Sequence, residues 1–171
     1  MGRDLSYYSV NTANGLVEDI AETWGWGLER MGQDDQVWLL YQLADHSVRF
    51  LDADTEYSAE VDEVVERFKS ELSKADIGNL IQALANKGCK PMGYWNLDHD
   101  NDLIYDIAHV WGDSLTEMSE FDQMWLIARL AGHFWSRWCE SPSDEAIEVM
   151  ERASELDDCD VWGLVQALAN K

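Results

Sequence analysis

The sequence predicts an all-α fold, built as two tandem four-helix units that are related by internal duplication and pack about a pseudo-two-fold axis. The first observation behind this prediction is that the chain resembles itself. Asp-Ile-Ala occurs at residues 19–21 and again at 106–108, and each half ends in QALANK, at residues 82–87 and 166–171. Similarity at half-chain spacing predicts two copies of one structural unit.

The second observation is the spacing of the apolar residues. They recur three and four positions apart, which is typical of helices, and no stretch alternates apolar and polar residues as a strand does. Two prolines, nine tryptophans and 46% apolar residues also exclude a disordered chain. We therefore predict eight helices and no strand.

Four segments follow from the repeat. We divide the chain into an irregular arm (1–14), helical repeat 1 (15–87), a linker (88–100) and helical repeat 2 (101–171). Whether each unit uses consecutive helices or the halves exchange helices is left open.

The helices of each repeat are predicted in order. The first covers Leu16–Met31, with its counterpart over Asp102–Met118. The second has the widest apolar face and is expected to be the most enclosed. Its apolar positions are Val37, Leu40, Tyr41, Ala44, Val48 and Leu51 in one copy, and Met124, Ile127, Ala128, Ala131, Trp135 and Trp138 in the other.

The remaining helices have weaker patterns. Ser119 and Asp122 fit a capping box at the start of the second helix of repeat 2, and Ser73 and Asp76 fit one at the fourth helix of repeat 1. The third helix is amphipathic and acidic, and the fourth is short. The segment Leu51–Tyr57 is predicted to be the linker between helices two and three.

The charge balance restricts the partners. Thirty-four acidic residues oppose 12 basic ones, a formal net charge of −22. Such a chain repels nucleic acids and anionic membranes. Its acidity has three interpretations: a solvated surface, a site for a basic protein partner, or mimicry of DNA phosphates. The spread of the acids along the helices favours the first over the third.

Composition also indicates a compartment. The three cysteines cannot all pair within one chain and share no CxxC spacing. No apolar run approaches the length of a membrane span, and no signal pattern opens the chain. We expect a cytoplasmic protein that does not insert into membranes.

No pattern predicts catalysis, so the chain is expected not to be an enzyme. His133 and Cys139 face away from each other on one predicted helix. Phosphate-binding loops, HExxH and GxSxG are missing from the sequence.

No metal site is predicted either. The acidic run at residues 98–102 fails the EF-hand pattern because Leu103 stands where glycine is needed, and an acidic cap on the following helix explains the run better. His46 and His133 occupy equivalent positions. Two such histidines could bind metal or sense pH, but we favour the interpretation that each fills the same structural position in its own repeat.

The aromatic residues are the strongest functional lead, because pockets for flat ligands are lined mainly by aromatic and aliphatic side chains. Repeated tryptophans at helical spacing are also typical of a core, so a structural role for most of them is the alternative. The candidate ligand-binding residues are Trp38, Tyr41, Tyr94, Trp95, Trp125, Trp135 and Trp138.

Three stretches resemble a known family. Residues 9–15 (SVNTANG), 35–41 (DQVWLLY) and 84–87 (LANK) are similar to the N-terminal helical domain of the orange carotenoid protein family, most clearly over residues 9–87. That domain is all-helical and consists of two four-helix units. Tyr41 falls near an aromatic position of the family, whereas Ala44 stands where a carotenoid-contacting tyrosine is expected.

The resemblance implies a role in photosynthesis. In that family the domain clamps a carotenoid and docks on the phycobilisome. Our hypothesis is a non-enzymatic helical protein that binds a photosynthetic antenna or photosystem, with or without a carotenoid, and that is photoprotective if it carries one. The alternative hypothesis is an acidic adaptor or inhibitor, similar to a DNA mimic, that binds a basic protein surface.

Overall fold

The computed structural model describes residues 3–50 and 57–171. Within these ranges the chain forms eight α-helices and no strand, so the predicted all-α class is confirmed. The helices are α1 (Gly15–Trp24), α2 (Gln33–Phe50), α3 (Ala59–Glu71), α4 (Lys74–Ala85), α5 (Asp102–Trp111), α6 (Glu120–Trp138), α7 (Asp144–Glu151) and α8 (Asp158–Ala169). Short 3₁₀ helices cover Leu5–Tyr8, Met92–Trp95 and Ala153–Glu155.

The first helix of each half is shorter than predicted. It ends at Trp24 and at Trp111 rather than at Met31 and Met118. The glycine that follows each tryptophan has a φ of 90° or 87°, a conformation that ends the helix and favours glycine. In the sequence, the apolar spacing continues past these glycines because the residues beyond them are also buried in the core.

Side-chain caps explain where most helices begin. The capping residues are Asn14, Ser58, Ser73, Asn101, Ser119, Ser143 and Asp157. The capping box of Ser73 and Asp76 is confirmed, since each accepts the other's backbone N–H. The capping box predicted at Ser119 and Asp122 is wrong in one of its two hydrogen bonds. Ser119 caps α6, but the carboxylate of Asp122 accepts the N–H of Ser58 instead.

Helices of one half pack against helices of the other. α2 and α6 lie together at the centre of the molecule, with α8 against α2 and α4 against α6. α7 contacts α1 and α2, and α3 contacts α5 and α6. This packing answers the question that the sequence left open, because the first two helices of each half meet the last two of the other.

The aspartate of the repeated Asp-Gln dipeptide joins the two halves. In α2, the carboxylate of Asp35 accepts hydrogen bonds from both the backbone N–H and the hydroxyl of Ser143, each at 2.7 Å. In α6, Asp122 accepts the N–H of Ser58 at 3.1 Å. Each aspartate therefore holds the N-terminus of the third helix of the opposite half.

The glutamine of the same dipeptide holds the fourth helix. The side-chain amide of Gln36 donates to the carbonyl of Leu168, and that of Gln123 donates to the carbonyl of Leu84. These carbonyls lie at the C-termini of α8 and α4, where a helix leaves its carbonyls without intrahelical partners. The repeated dipeptide is thus a structural link between the halves.

The arm is more regular than predicted, and the linker also has local helical structure. Both contain a 3₁₀ helix, Leu5–Tyr8 against α8 and Met92–Trp95 against α4. Leu5 and Met92 are each fully buried at the first position of these turns. The predicted linker Leu51–Tyr57 lies, except for its last residue, outside the described residues.

Candidate functional site

An open cleft of about 330 Å³ lies between α2, α3 and α6. Two helices from the first half and one from the second form its walls, so it depends on the packing between the halves. Tyr41 of α2, Val65 and Phe68 of α3, and Trp135 of α6 are among its apolar lining residues.

A glycine lets the tyrosine ring reach α6. A Cβ atom on Gly132 would lie 3.0 Å from a ring carbon of Tyr41, closer than side chains normally pack. Glycine inside a helix costs about 1 kcal/mol relative to alanine. Gly132 therefore lowers the local stability of α6 but allows the close approach of Tyr41 that forms this wall of the cleft.

Phe68 and His133 form the inner part of the cleft. Phe68 is 1% exposed, and its ring meets the imidazole edge-to-face at 5.2 Å. On its other side the imidazole meets the ring of Trp138 at 5.7 Å. Burial, and then the charges of Lys69 and Arg137, lower the pKa of His133 below its ordinary value of 6.5. The imidazole is therefore neutral at pH 7.

The titration of His133 predicts a pH effect on stability. Its folded pKa lies below its unfolded pKa, so the unfolded chain takes up a proton first. The stability due to neutral His133 is complete above about pH 6.5 and falls as the pH drops through that value toward the folded pKa.

Chemical denaturation at pH 7.5 and pH 5.5 checks this effect. We expect the wild type to lose more stability between the two pH values than His133→Gln does, because glutamine does not titrate. An equal loss in both proteins would contradict it.

Charged side chains lie at the rim of the cleft. Lys69 extends from α3 and Arg129 from α6, and Asp45 of α2 is the acid among the lining residues. The guanidinium of Arg129 stacks over the ring of Trp125 at 4.2 Å. Asp45 forms an ion pair with Arg49 at 2.9 Å. The cleft thus combines aromatic walls with a cationic edge.

The structure brings two of the seven predicted ligand-binding residues to the cleft, Tyr41 and Trp135. The indole N–H of Trp135 donates to the carbonyl of Glu140, which fixes its orientation. Trp138 lies behind the cleft against His133, and the ammonium of Lys74 lies 5.8 Å from its ring centroid.

The other four predicted residues lie elsewhere. Trp125 stacks on Tyr57 at 4.5 Å with nearly parallel rings, and Trp38 is half-buried against the core. Tyr94 and Trp95 form an edge-to-face pair in the 3₁₀ helix that packs on α4. None of these four lines the cleft.

Sequence reasoning missed several lining residues, among them Val65, Phe68, Lys69 and Arg129. Their patterns are those of an ordinary amphipathic helix and give no signal for a site. Gly132 did offer a signal, because a glycine inside an apolar helix often marks a close approach by another group.

Possible metal ligands are not grouped in the described parts of the chain. Residues 3–50 and 57–171 contain no group of three or more His, Cys, Asp or Glu placed to hold a metal ion. At the acidic run, Asn101 rather than an aspartate caps α5, and His99 contacts Asp113 at 2.8 Å. Burial, followed by Asp34, raises the pKa of Cys139 to about 11, so its thiol is protonated at neutral pH.

Comparisons with known proteins give no relative. No family, curated protein or solved structure matches the chain. Among the described helices, none is both long and apolar enough to span a lipid bilayer.

Proposed function

We propose that this is a non-enzymatic binding protein that holds a flat, largely apolar ligand in the cleft between α2, α3 and α6. The observation that carries the proposal is the set of three aromatic side chains, Tyr41, Phe68 and Trp135, around a volume of about 330 Å³. Sites for small ligands typically measure roughly 300–1,000 Å³, and the cleft lies at the lower end of this range.

The expected energetics agree with a ligand of modest size. Burying about 200 Å² of apolar ligand surface is worth about 5 kcal/mol before the cost of association. Flat rings also pack well edge-to-face or offset against aromatic walls. The arrangement of Phe68 and His133 already has this edge-to-face geometry.

The polar groups of the cleft support binding rather than catalysis. The hydroxyl of Ser136 donates to the carbonyl of His133 on its own helix at 3.0 Å, so no base in the cleft activates it. The imidazole of His133 packs edge-to-face against the rings of Phe68 and Trp138, contacts that favour a structural role.

A bulky side chain at the cleft tests the proposal. We expect Ser136→Trp to weaken binding of the neutral fluorescent probe N-phenyl-1-naphthylamine by about tenfold or more, a loss of about 1.4 kcal/mol, because the indole occupies the ligand volume. Fluorescence titration measures this effect.

Ser70→Trp is the matched control. Ser70 is also exposed, and its hydroxyl also donates to a carbonyl of its own helix, but it does not line the cleft. Its affinity for the probe should stay within twofold of wild type. Absence of probe binding to the wild type, or equal loss in both variants, would remove the proposal.

The resemblance to the orange carotenoid protein family supports one specific form of this function, in which the ligand is a carotenoid and the partner a photosynthetic antenna or photosystem. A chain produced in a carotenoid-synthesising host should then purify coloured and capture antenna proteins. A colourless product from such a host would remove the pigment from the proposal.

A second candidate function is an acidic adaptor for a basic protein. The observation that favours it is a pair of helices, α3 and α7, that each present four exposed acids. These are Glu60, Asp62, Glu63 and Glu66 in α3, and Asp144, Glu145, Glu148 and Glu151 in α7. Such association should weaken steeply as salt rises from about 0.1 M, where the Debye length is about 10 Å, to about 0.2 M. Partner capture that is insensitive to salt would contradict it.

A further inference from the structure

The cleft differs in charge from the rest of the molecule. The chain has a formal net charge of −22, yet the basic side chains that line this cleft, Lys69 and Arg129, outnumber its single acid. That acid, Asp45, already binds Arg49. The positive charges at the rim are therefore not neutralised by the lining residues.

The two cations have no acidic partner in the described chain. Among residues 3–50 and 57–171, no carboxylate lies within ion-pair distance of Lys69 or Arg129, although three other arginines form such pairs. In a protein with 34 acidic residues, two exposed cations without an ion pair therefore line one cleft from the neighbouring helices α3 and α6.

The side chain of Arg129 is exposed, but the ring of Trp125 restricts its orientation. Its guanidinium stacks on Trp125 at 4.2 Å, and Trp125 in turn stacks on Tyr57 at 4.5 Å. Stacking holds the planar fork of donors in place, so less side-chain entropy is lost when it meets an anion. A guanidinium of this kind can bind a carboxylate or sulfonate through two hydrogen bonds.

The electrostatic field inside the cleft agrees with this arrangement. After burial, the causes that lower the pKa of His133 are the positive charges of Lys69 and Arg137. Two positive charges therefore act on the imidazole that lines the cleft. The same field would stabilise an anion placed there.

We propose that the ligand of this cleft is an amphipathic anion, whose flat apolar body packs between Tyr41, Phe68 and Trp135 while a carboxylate or sulfonate meets Lys69 and Arg129. The inference rests on the proposed function, since it concerns the same cleft, and it narrows the class of ligand. A carotenoid without an acidic group would contact the aromatic walls but would leave both cations without an anionic partner.

Two probes with the same aromatic body test the inference. 8-Anilinonaphthalene-1-sulfonate carries a sulfonate that N-phenyl-1-naphthylamine lacks, and both are titrated by fluorescence with the full chain at 0.15 M salt. We expect the sulfonate probe to bind more tightly, against the repulsion of the net charge. Lys69→Gln and Arg129→Gln should each weaken its binding by about three- to tenfold, the range between exposed and charge-assisted contacts.

The neutral probe and a control variant separate the outcomes. Both substitutions should leave the affinity for N-phenyl-1-naphthylamine within twofold of the wild-type value. Lys90 is an exposed lysine outside the cleft, and Lys90→Gln should change the affinity for neither probe. Circular dichroism confirms that the variants fold.

Three results would overturn the inference. If the neutral probe binds in a Ser136-dependent way and the sulfonate probe binds no better, the ligand class is wrong and the proposed function stands. If the sulfonate probe binds more tightly but ignores both substitutions, the anion site is wrong. If neither probe binds, the proposed function fails and the inference fails with it.

Discussion

Replacing Phe68 with alanine should lower the free energy of unfolding by about 3–5 kcal/mol, the range for a large aromatic side chain removed from a core. Phe68 is 1% exposed in α3 and packs its ring against His133 of α6. Its loss removes buried apolar area, leaves a cavity and weakens the contact between helices of the two halves. Urea denaturation followed by circular dichroism measures the change.

The same experiment needs an exposed aromatic residue for comparison. Tyr105 of α5 is 58% exposed, and Tyr105→Ala should change the free energy of unfolding by less than about 0.5 kcal/mol. A loss below about 1 kcal/mol in Phe68→Ala, against the core range, would mean that α3 does not pack on α6 as described.

The second large effect is expected at Gly163, inside α8. A Cβ atom there would lie 2.5 Å from the backbone oxygen of Tyr8 and 2.7 Å from a methyl carbon of Val10. Because a backbone oxygen cannot move aside as a side chain can, Gly163→Ala must displace the N-terminal segment from α8. We expect it to destabilise the protein by about 1–3 kcal/mol, despite the better helix propensity of alanine.

Gly78, inside α4, provides a matched control. A Cβ atom at this glycine would have its nearest neighbour, a ring carbon of Phe134, at 4.0 Å, an ordinary contact distance. Gly78→Ala should therefore stabilise the protein by about 0.5–1 kcal/mol through helix propensity alone. Thermal and urea unfolding of the two variants should shift in opposite directions, and a shift of the same sign would contradict the contact between α8 and the N-terminal segment.

The helices were predictable because apolar spacing records which face of each helix is buried. It does not record which helix covers that face, and so the exchange of helices between the halves could not be predicted. The repeated Asp-Gln dipeptide illustrates the difference. As sequence it indicated a duplication and a family resemblance, whereas in the fold its side chains hold the third and fourth helices of the opposite half.

The candidate site was predictable only in part for the same reason. Tyr41 and Trp135 were identified because pockets for flat ligands are lined mainly by aromatic and aliphatic side chains, and both line the cleft. Tyr94 and Trp95 carry the same kind of signal but lie on another face, against α4. Lys69 and Arg129 looked like ordinary surface cations, since only the position of α3 beside α6 brings them to one rim.

The location of the ligand is measured most directly by NMR. In a titration of the ¹⁵N-labelled chain with N-phenyl-1-naphthylamine, the largest amide shifts should fall in α2, α3 and α6, around Tyr41, Val65 and Gly132. Shifts centred on the 3₁₀ helix Met92–Trp95, or spread over the whole chain without a maximum at the cleft, would contradict the assignment of the cleft as the binding site.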